Sequence, residues 1–297
     1  VGEAEAARWN LCVLLASASE SPLAREGTGV SCAGIFARYL RGPHKSRKPD
    51  RQNHEFLKRG IYNLAEKLKI IPLGGLNEIG KNMTVLEYGK DIIIIDCGLG
   101  FPEDDMYGID LVIADMTYLV KNQEKIRGMF LTHGHEDHIG GIPYAMQQFN
   151  CPIHGTRLTA GLVKLKLEEH HLERRVKLFT HEAGEVVKAG CFQVEFIHVN
   201  HSIADAVAFA VKTPVGTLVF SGDFKIDAMA EDGMIDLARL GQLGNEGVLA
   251  FLCDSTNVER PGFTPSERSV TDSSDRGSSP GRSRAGRQGR WSAGSSS

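Results

Sequence analysis

The feature that most constrains this chain is a run of histidines and carboxylates directly after a short apolar stretch. Residues 128–132 read GMFLT, and residues 133–138 read HGHEDH. A loop at the end of a β-strand can turn several of these side chains toward one point. Imidazole and carboxylate groups together suit Zn²⁺ or Mn²⁺. The sequence therefore predicts a metal site on this loop, and a solvated polar loop without metal is the weaker alternative.

One loop cannot complete a two-metal site, and other predicted strand ends supply further candidates. His201 follows the apolar run 193–199, and Asp223 follows the run 216–221. Loops at strand ends gather side chains at one rim of a sheet, so we interpret both residues as metal ligands. Asp96 closes a run of four isoleucines. We expect it to orient the ligands from a neighbouring position, as carboxylates beside metal-bound groups do.

The remaining histidines show no comparable pattern. His198 lies on a predicted strand, and His170 and His171 lie on a charged predicted helix. His154 and His181 have no partner that the sequence identifies. We expect structural roles for all of them.

Residues 69–270 have the pattern of an α/β domain. Ten β-rich runs are separated by turn signals: 70–73, 83–88, 92–96, 128–132, 152–155, 176–180, 193–199, 206–213, 216–221 and 248–253. Helical patterns cover 139–149 and 158–174. The second places Leu162, Leu165 and Leu172 on its apolar face. Hairpins followed by interspersed helices predict two sheets covered by helices rather than one parallel sheet.

The two ends of the chain differ from this middle. Residues 1–68 lack periodicity, so we expect a poorly ordered or non-native basic leader, with an RNA-contacting arm as the alternative. Of the 27 residues in 271–297, 19 are Ser, Gly or Arg, which predicts a disordered tail. Residues 1–60 carry 10 Lys/Arg against 6 Asp/Glu, and 271–297 carry 5 against 2. The overall charge of −3 therefore leaves ten excess negative charges on 61–270. An acidic middle does not by itself suggest a polyanionic partner.

Membrane insertion and secretion are not expected. No apolar run reaches the roughly 18 residues that span a bilayer. The apolar stretch 11–16 follows a net negative start, unlike a secretory signal. The six cysteines form no C-x-x-C pair, which favours free thiols and a cytoplasmic location.

The motif H-x-H-x-D-H, with an earlier strand-end Asp and a later His and Asp, resembles the metallo-β-lactamase superfamily over about residues 69–260. That resemblance implies an αββα sandwich, within the α/β class, with a metal site at one edge of the sheets. Local strings are similar to the ribonuclease J family of the β-CASP group: 72–82 (PLGGLNEIGKN), 98–102 (GLGFP), 199–206 (VNHSIADA), 221–225 (SGDFK) and 254–267 (DSTNVERPGFTPSE).

The resemblance also implies roles for individual residues around two zinc ions, with Mn²⁺ as an alternative. One ion would be held by three imidazoles: His133, His135 and His201. The second would be held by Asp137 and His138, and Asp223 would bridge the two ions. Asp137, His138 and Asp223 would also be the catalytic residues.

Ribonuclease J enzymes degrade or mature RNA by endonucleolytic cleavage and by 5′-to-3′ exonucleolysis. The resemblance therefore implies a metal-dependent ribonuclease with an RNA substrate, and homo-oligomers of the full-length protein. It covers an N-terminal portion only. Residues 261–270 are similar to the start of the β-CASP linker, and nothing after about Val270 matches the rest of that domain. We expect reduced or no independent activity.

Two alternative functions remain. Another hydrolase of the same fold could act on a thioester, a lactone or a small phosphoester, although the string 254–267 argues against it. An inactive metal-binding remnant is the second alternative, and the acidic middle of the chain is compatible with it.

Overall fold

The computed structural model describes residues 11–15, 66–227, 229–230 and 233–256, together with 258, 261–262, 266 and 268. The predicted Ser/Gly/Arg-rich tail lies outside the described residues. So does most of the predicted leader, of which 11–15 and 66–68 are described.

The described residues form fourteen strands and five α-helices. The strands are β1 (Leu11–Leu15), β2 (Lys69–Gly74), β3 (Met83–Tyr88), β4 (Asp91–Ile95), β5 (Leu99–Gly100), β6 (Val112–Ile113), β7 (Ile126–Phe130), β8 (Ile153–Gly155), β9 (Leu178–Thr180), β10 (Val186–Ala189), β11 (Phe192–His198), β12 (Val207–Thr213), β13 (Gly216–Phe220) and β14 (Ala250–Asp254). The helices are α1 (Thr117–Lys121), α2 (Glu136–Ile139), α3 (Ile142–Gln148), α4 (Arg157–Glu169) and α5 (Leu237–Glu246).

Two six-stranded sheets contain most of these strands. The first has the order β2-β3-β4-β7-β8-β9, and the second has the order β1-β14-β13-β12-β11-β10. In the first sheet, β4, β7, β8 and β9 run parallel to one another. In the second, β10 to β13 form an antiparallel meander and β14 pairs parallel with β13. β5 and β6 form a separate two-stranded ribbon.

The isoleucines of β4 show how the sequence builds the layers. Ile92 and Ile94 pack into a core shared with α1, α3 and α4, whereas Ile93 and Ile95 pack into a core between the sheets. This follows from the alternation of side chains along a strand. On the second sheet, Phe209 of β12 enters the core between the sheets, and its neighbours face α5. The layers are thus helix, sheet, sheet and helix, which confirms the predicted αββα sandwich.

Two predicted helices differ from those observed. The predicted helix 139–149 corresponds to α3, which begins at Ile142, whereas α2 covers Glu136–Ile139 within the predicted metal loop. Gly140 and Gly141 separate the two helices. There the chain passes so close to the β4–β5 loop that a Cβ at Gly141 would lie 2.6 Å from Gly98 O. The pattern 158–174 ends as helix at Glu169, because His171 has a φ of 56°. Of the three leucines placed on the apolar face of that pattern, Leu165 is 58% exposed.

All ten predicted β-rich runs contain strands, and four observed strands were not predicted: β1, β5, β6 and β10. β10 is a four-residue edge strand, and three of its four residues are exposed or half-exposed. None of the helices in the described part of the chain has the length and apolar character needed to cross a bilayer.

Candidate metal centre

The predicted metal ligands meet at the rim where five strands end. The loop after β7 carries His133 and His135, and α2 begins immediately after it. The loops after β11 and β13 carry His201 and Asp223. Because β11, β13 and β14 run in one direction, as do β4 and β7, their carboxyl ends gather loops from both sheets at one edge.

Three imidazoles form the first group, named here the histidine triad: His133, His135 and His201. His135 Nδ1 lies 3.1 Å from His133 Nε2 and 3.1 Å from His201 Nε2. A single hydrogen on one of these nitrogens cannot satisfy all three. A cation between them can.

A second group contains His133, His138 and Asp223. His138 Nε2 lies 3.2 Å from Asp223 Oδ1, and Asp223 Oδ2 lies 3.7 Å from His201 Nε2. The Asp223 carboxylate therefore faces both groups. Asp137 Oδ2 lies 3.6 Å from His138 Nε2, at the side of the second group.

Buried hydrogen bonds aim the ring nitrogens of the site. Asp96 Oδ2 accepts hydrogen bonds from His138 Nδ1 and from Thr132 Oγ1, both at 2.8 Å, and Asp96 Oδ1 accepts one from Thr132 N at 2.8 Å. Thr132 Oγ1 has given its hydrogen to Asp96, so it accepts from His133 Nδ1 at 3.0 Å. With Nδ1 as the hydrogen-bond donor, Nε2 is the ring atom that His133 and His138 each direct into the site. A histidine that binds metal through Nε2 usually donates its Nδ1 hydrogen in this way.

The charge balance of the site also favours a cation. Burial lowers the pKa of His133 well below its ordinary value and that of His201 to about 4, so both rings are neutral near pH 7. Burial opposes ionisation of Asp223, but His138 and the other imidazoles keep its pKa low. Although burial opposes a charge on His138, Asp223 and Asp96 raise its pKa well above the ordinary value. The centre of the site therefore attracts positive charge.

The donor set fits a transition-metal ion. The ligand atoms of each group lie within 4.8 Å of one another. Nitrogen and oxygen ligands at 2.0–2.2 Å around one tetrahedral Zn²⁺ stand roughly 3.3–3.6 Å apart. The separations of 3.1 to 3.7 Å between facing atoms surround this value.

The structure brings together all six side chains that the sequence analysis named as ligands, and it places Asp96 beneath them. The ligand and catalytic roles of these residues stay predictions. Sequence reasoning missed Asp254 as a site residue. It lines the same small cavity as Asp96, His138 and Asp223. Burial and the charge of Asp223 raise its pKa to about 6. Its position after the apolar run 248–253 was the available signal.

Asn82 was also missed. It begins no apolar run, and its contacts with Asp137 join residues 55 positions apart. In the sequence it stands out only as the last residue of the string 72–82.

Comparison with known proteins agrees with this geometry. The family profile described as "Metallo-beta-lactamase superfamily" matches residues 76–266. The chain belongs to the metallo-β-lactamase superfamily. Members of this superfamily typically bind metal ions, in keeping with the histidine and aspartate groups described above.

The resemblance to ribonuclease J is confirmed by several relatives. Ribonuclease J of Synechocystis sp. is 53% identical over 214 residues, which is 71% of this chain and 33% of that protein. Ribonuclease J2 of Bacillus subtilis is 42% identical over 207 residues, covering 69% of this chain and 37% of that protein. Ribonuclease J of Thermus thermophilus is 43% identical over 227 residues, covering 73% of this chain and 40% of that protein. This superfamily member thus spans between a third and two fifths of the length of these relatives.

Proposed function

We propose that this chain is the metal-binding part of a metal-dependent ribonuclease that hydrolyses RNA phosphodiester bonds. The observation that carries the proposal is the meeting of the HGHEDH loop, His201 and Asp223 at one rim. The sequence similarity to ribonucleases J supports RNA as the substrate class. In the full-length protein the activity includes endonucleolytic cleavage and 5′-to-3′ exonucleolysis, and that protein forms homo-oligomers.

Two zinc ions are the proposed cofactors, with Mn²⁺ as a substitute. The histidine triad would hold one ion. Asp137 and His138 would hold the other, and Asp223 would contact both. When bound, such ions polarise a phosphoryl oxygen and lower the pKa of water to near neutrality.

The chain's own residues supply orientation and proton handling. Asp96 fixes the His138 ring through its Nδ1 atom, so that Nε2 stays directed into the site. Asp137 stands beside His138 with a pKa raised by burial, where its carboxylate can orient an attacking water. Among the described residues, Cys97, Cys151, Cys191 and Cys253 are not in disulfide bonds, which suits the reducing cytoplasm that we propose as its location.

The test is cleavage of a 5′-monophosphorylated RNA by the chain loaded with Zn²⁺ or Mn²⁺, compared with a thioester and a lactone. We expect slow cleavage of RNA alone, because most of the length of the relatives is absent. Asp223→Asn should abolish it. His171→Asn should not, because His171 is exposed and asparagine tolerates its left-handed φ of 56°.

Faster turnover of the thioester or the lactone would contradict the proposal. So would RNA cleavage that persists in Asp223→Asn, which would indicate a contaminating nuclease. Two bound ions without turnover of any substrate would favour the inactive metal-binding remnant.

A further inference from the structure

Asn82 lies where the two sides of the candidate metal centre meet. Its Nδ2 atom lies 3.2 Å from Asp137 Oδ2, 3.1 Å from Asp137 O and 3.1 Å from His138 Nε2. The orientation of its amide follows from chemistry, since both Asp137 atoms are acceptors and would repel the Asn82 oxygen. The amide group therefore faces the Asp137–His138 side of the site and not the histidine triad.

The backbone around Asn82 fixes that amide in place. Asn82 N donates to Asp137 O at 3.0 Å, and Asn82 O accepts from Gly98 N at 2.9 Å. Gly98 lies so close to Asp137 that a Cβ at this position would stand 1.6 Å from Asp137 O. Three segments of the chain, from the β2–β3 loop, the β4–β5 loop and α2, thus lock together at this point. Within this junction, the Asn82 amide donates a side-chain hydrogen bond to the Asp137 carboxylate.

From this geometry we infer that Asn82 is a positioning residue that sets the affinity of the Asp137–His138 side for its metal ion. The amide donates to Asp137 Oδ2, the carboxylate oxygen that lies 3.6 Å from His138 Nε2. It also lies 3.1 Å from His138 Nε2, the atom through which that ring would bind a cation. The carboxylate is therefore held beside the imidazole before metal arrives. The inference rests on the proposed function's assignment of Asp137 and His138 to a second ion.

The histidine triad offers a built-in comparison. His133, His135 and His201 have no contact with the Asn82 amide among the hydrogen bonds of the described residues. Loss of the amide should therefore lower the affinity for the ion at Asp137 and His138 and leave the affinity for the ion at the histidine triad unchanged. Loss of a residue that only stabilised the fold would lower both affinities or neither.

The experiment is a zinc titration of the full chain at free Zn²⁺ concentrations set by a chelator buffer, with bound metal counted by mass spectrometry. We expect two binding steps in the unmodified chain. Asn82→Leu keeps the size of the side chain and removes the donor. It should weaken the second step by about 10- to 100-fold, the usual effect of losing a group that orients a ligand, and leave the first step unchanged. Asn82→Ala should do the same, and it serves if the leucine variant does not fold.

Asn150→Leu is the matched control. The amide of Asn150 also donates to a backbone carbonyl, that of Arg175 at 3.1 Å, but on an exposed surface. It should leave both binding steps and the melting temperature of the metal-free chain close to those of the unmodified chain.

Three results would overturn the inference: a single binding step in the unmodified chain, equal weakening of both steps in Asn82→Leu, or an unchanged second step. Because bound metal is counted without RNA, absence of RNA cleavage alone would count against the proposed function and not against this inference.

Discussion

Two histidine clusters in this domain each contain a histidine whose Nδ1 donates a hydrogen bond to a carboxylate. They differ in the group that the Nε2 atom of that histidine faces. Asp96 accepts a bond of 2.8 Å from His138 Nδ1, and Glu185 accepts a bond of 2.8 Å from His181 Nδ1. His138 Nε2 then faces Asp223, at 3.2 Å. His181 Nε2 instead accepts a hydrogen from His154 Nδ1 at 2.9 Å, so that its lone pair is already used. We call His154, His181 and Glu185 the His154 cluster.

The two clusters also differ in their surroundings, which are aromatic around His154 and rich in carboxylates around His138. The His154 ring stacks between Phe130 and Phe179, with centroids 4.7 and 5.1 Å away. Burial lowers its pKa to about 4, so it is a neutral aromatic ring near pH 7. The candidate metal centre instead gathers the carboxylates of Asp96, Asp137 and Asp223 around imidazoles whose ring nitrogens converge. We infer that this convergence of nitrogens and carboxylates distinguishes a metal site from a cluster of structural histidines.

The largest expected contrast is the loss of metal on removing one histidine from each cluster. His133 belongs to both groups of the metal centre. His133→Ala should weaken zinc binding by about 1000-fold, since removing one of few ligands forfeits a sizeable share of a binding free energy of roughly 10–16 kcal/mol. His181→Ala should leave the metal content unchanged. Equilibrium dialysis with metal analysis measures zinc binding in both variants. Equal losses of zinc in the two would contradict the distinction between the candidate metal centre and the His154 cluster.

A smaller effect is expected at the carboxylate that orients His138. In Asp96→Asn, one acceptor oxygen becomes an amide that faces the donors His138 Nδ1 and Thr132 Oγ1. We expect zinc affinity to fall by about 10- to 100-fold. The same dialysis assay measures it, with circular dichroism to confirm that the variant is folded. Unchanged affinity in a folded variant would show that Asp96 is not needed to orient the ring.

The candidate metal centre could be predicted from the sequence because its side chains lie at the ends of apolar runs. Asp96 closes such a run, and His201 and Asp223 each lie two residues after one. Parallel strand direction then brings such positions to one rim. Asn82 has no such signal. Its partner is 55 residues away, and its contact depends on how closely Gly98 lets two loops approach.

The His154 cluster shows the corresponding limit for structural histidines. His154 and His181 have no partner that can be identified in the sequence, yet the structure pairs them. Their contact depends on the parallel register of β8 and β9, in which His154 stands opposite Phe179. Apolar alternation along a strand predicts which face is buried, but it does not predict the register between strands that are 20 or more residues apart in the chain. The short edge strand β10 was missed for a related reason, since its pairing with β11 defines it.

The next effect concerns the pH dependence of the free energy of unfolding. It should reveal the contribution of the His154 cluster when metal is removed by a chelator. The folded pKa of His154 is about 4, below the value near 6.5 of an unfolded histidine, so unfolding takes up a proton between these pH values. This contribution is fully present above pH 6.5 and is lost as the pH falls toward 4. His154→Phe keeps the stacking and should remove about 1–2 kcal/mol of the pH-dependent loss, allowing for partial solvent contact. Urea unfolding at pH 7 and pH 4.5 tests it, and identical pH slopes in both chains would contradict it.

The smallest effect is expected for Glu185→Gln. This variant changes the carboxylate that accepts from His181 Nδ1, as Asp96 accepts from His138 Nδ1. Glu185 is exposed, and glutamine retains an oxygen that can accept from His181 Nδ1. Solvent screens the charge that is lost, whereas the same kind of change at buried Asp96 removes an acceptor that no water replaces. We therefore expect no measurable change in melting temperature or in bound zinc, by calorimetry and metal analysis. A loss of zinc in Glu185→Gln comparable to that in Asp96→Asn would mean that the two clusters are coupled, and that burial does not explain why only one of these carboxylates belongs to the metal centre.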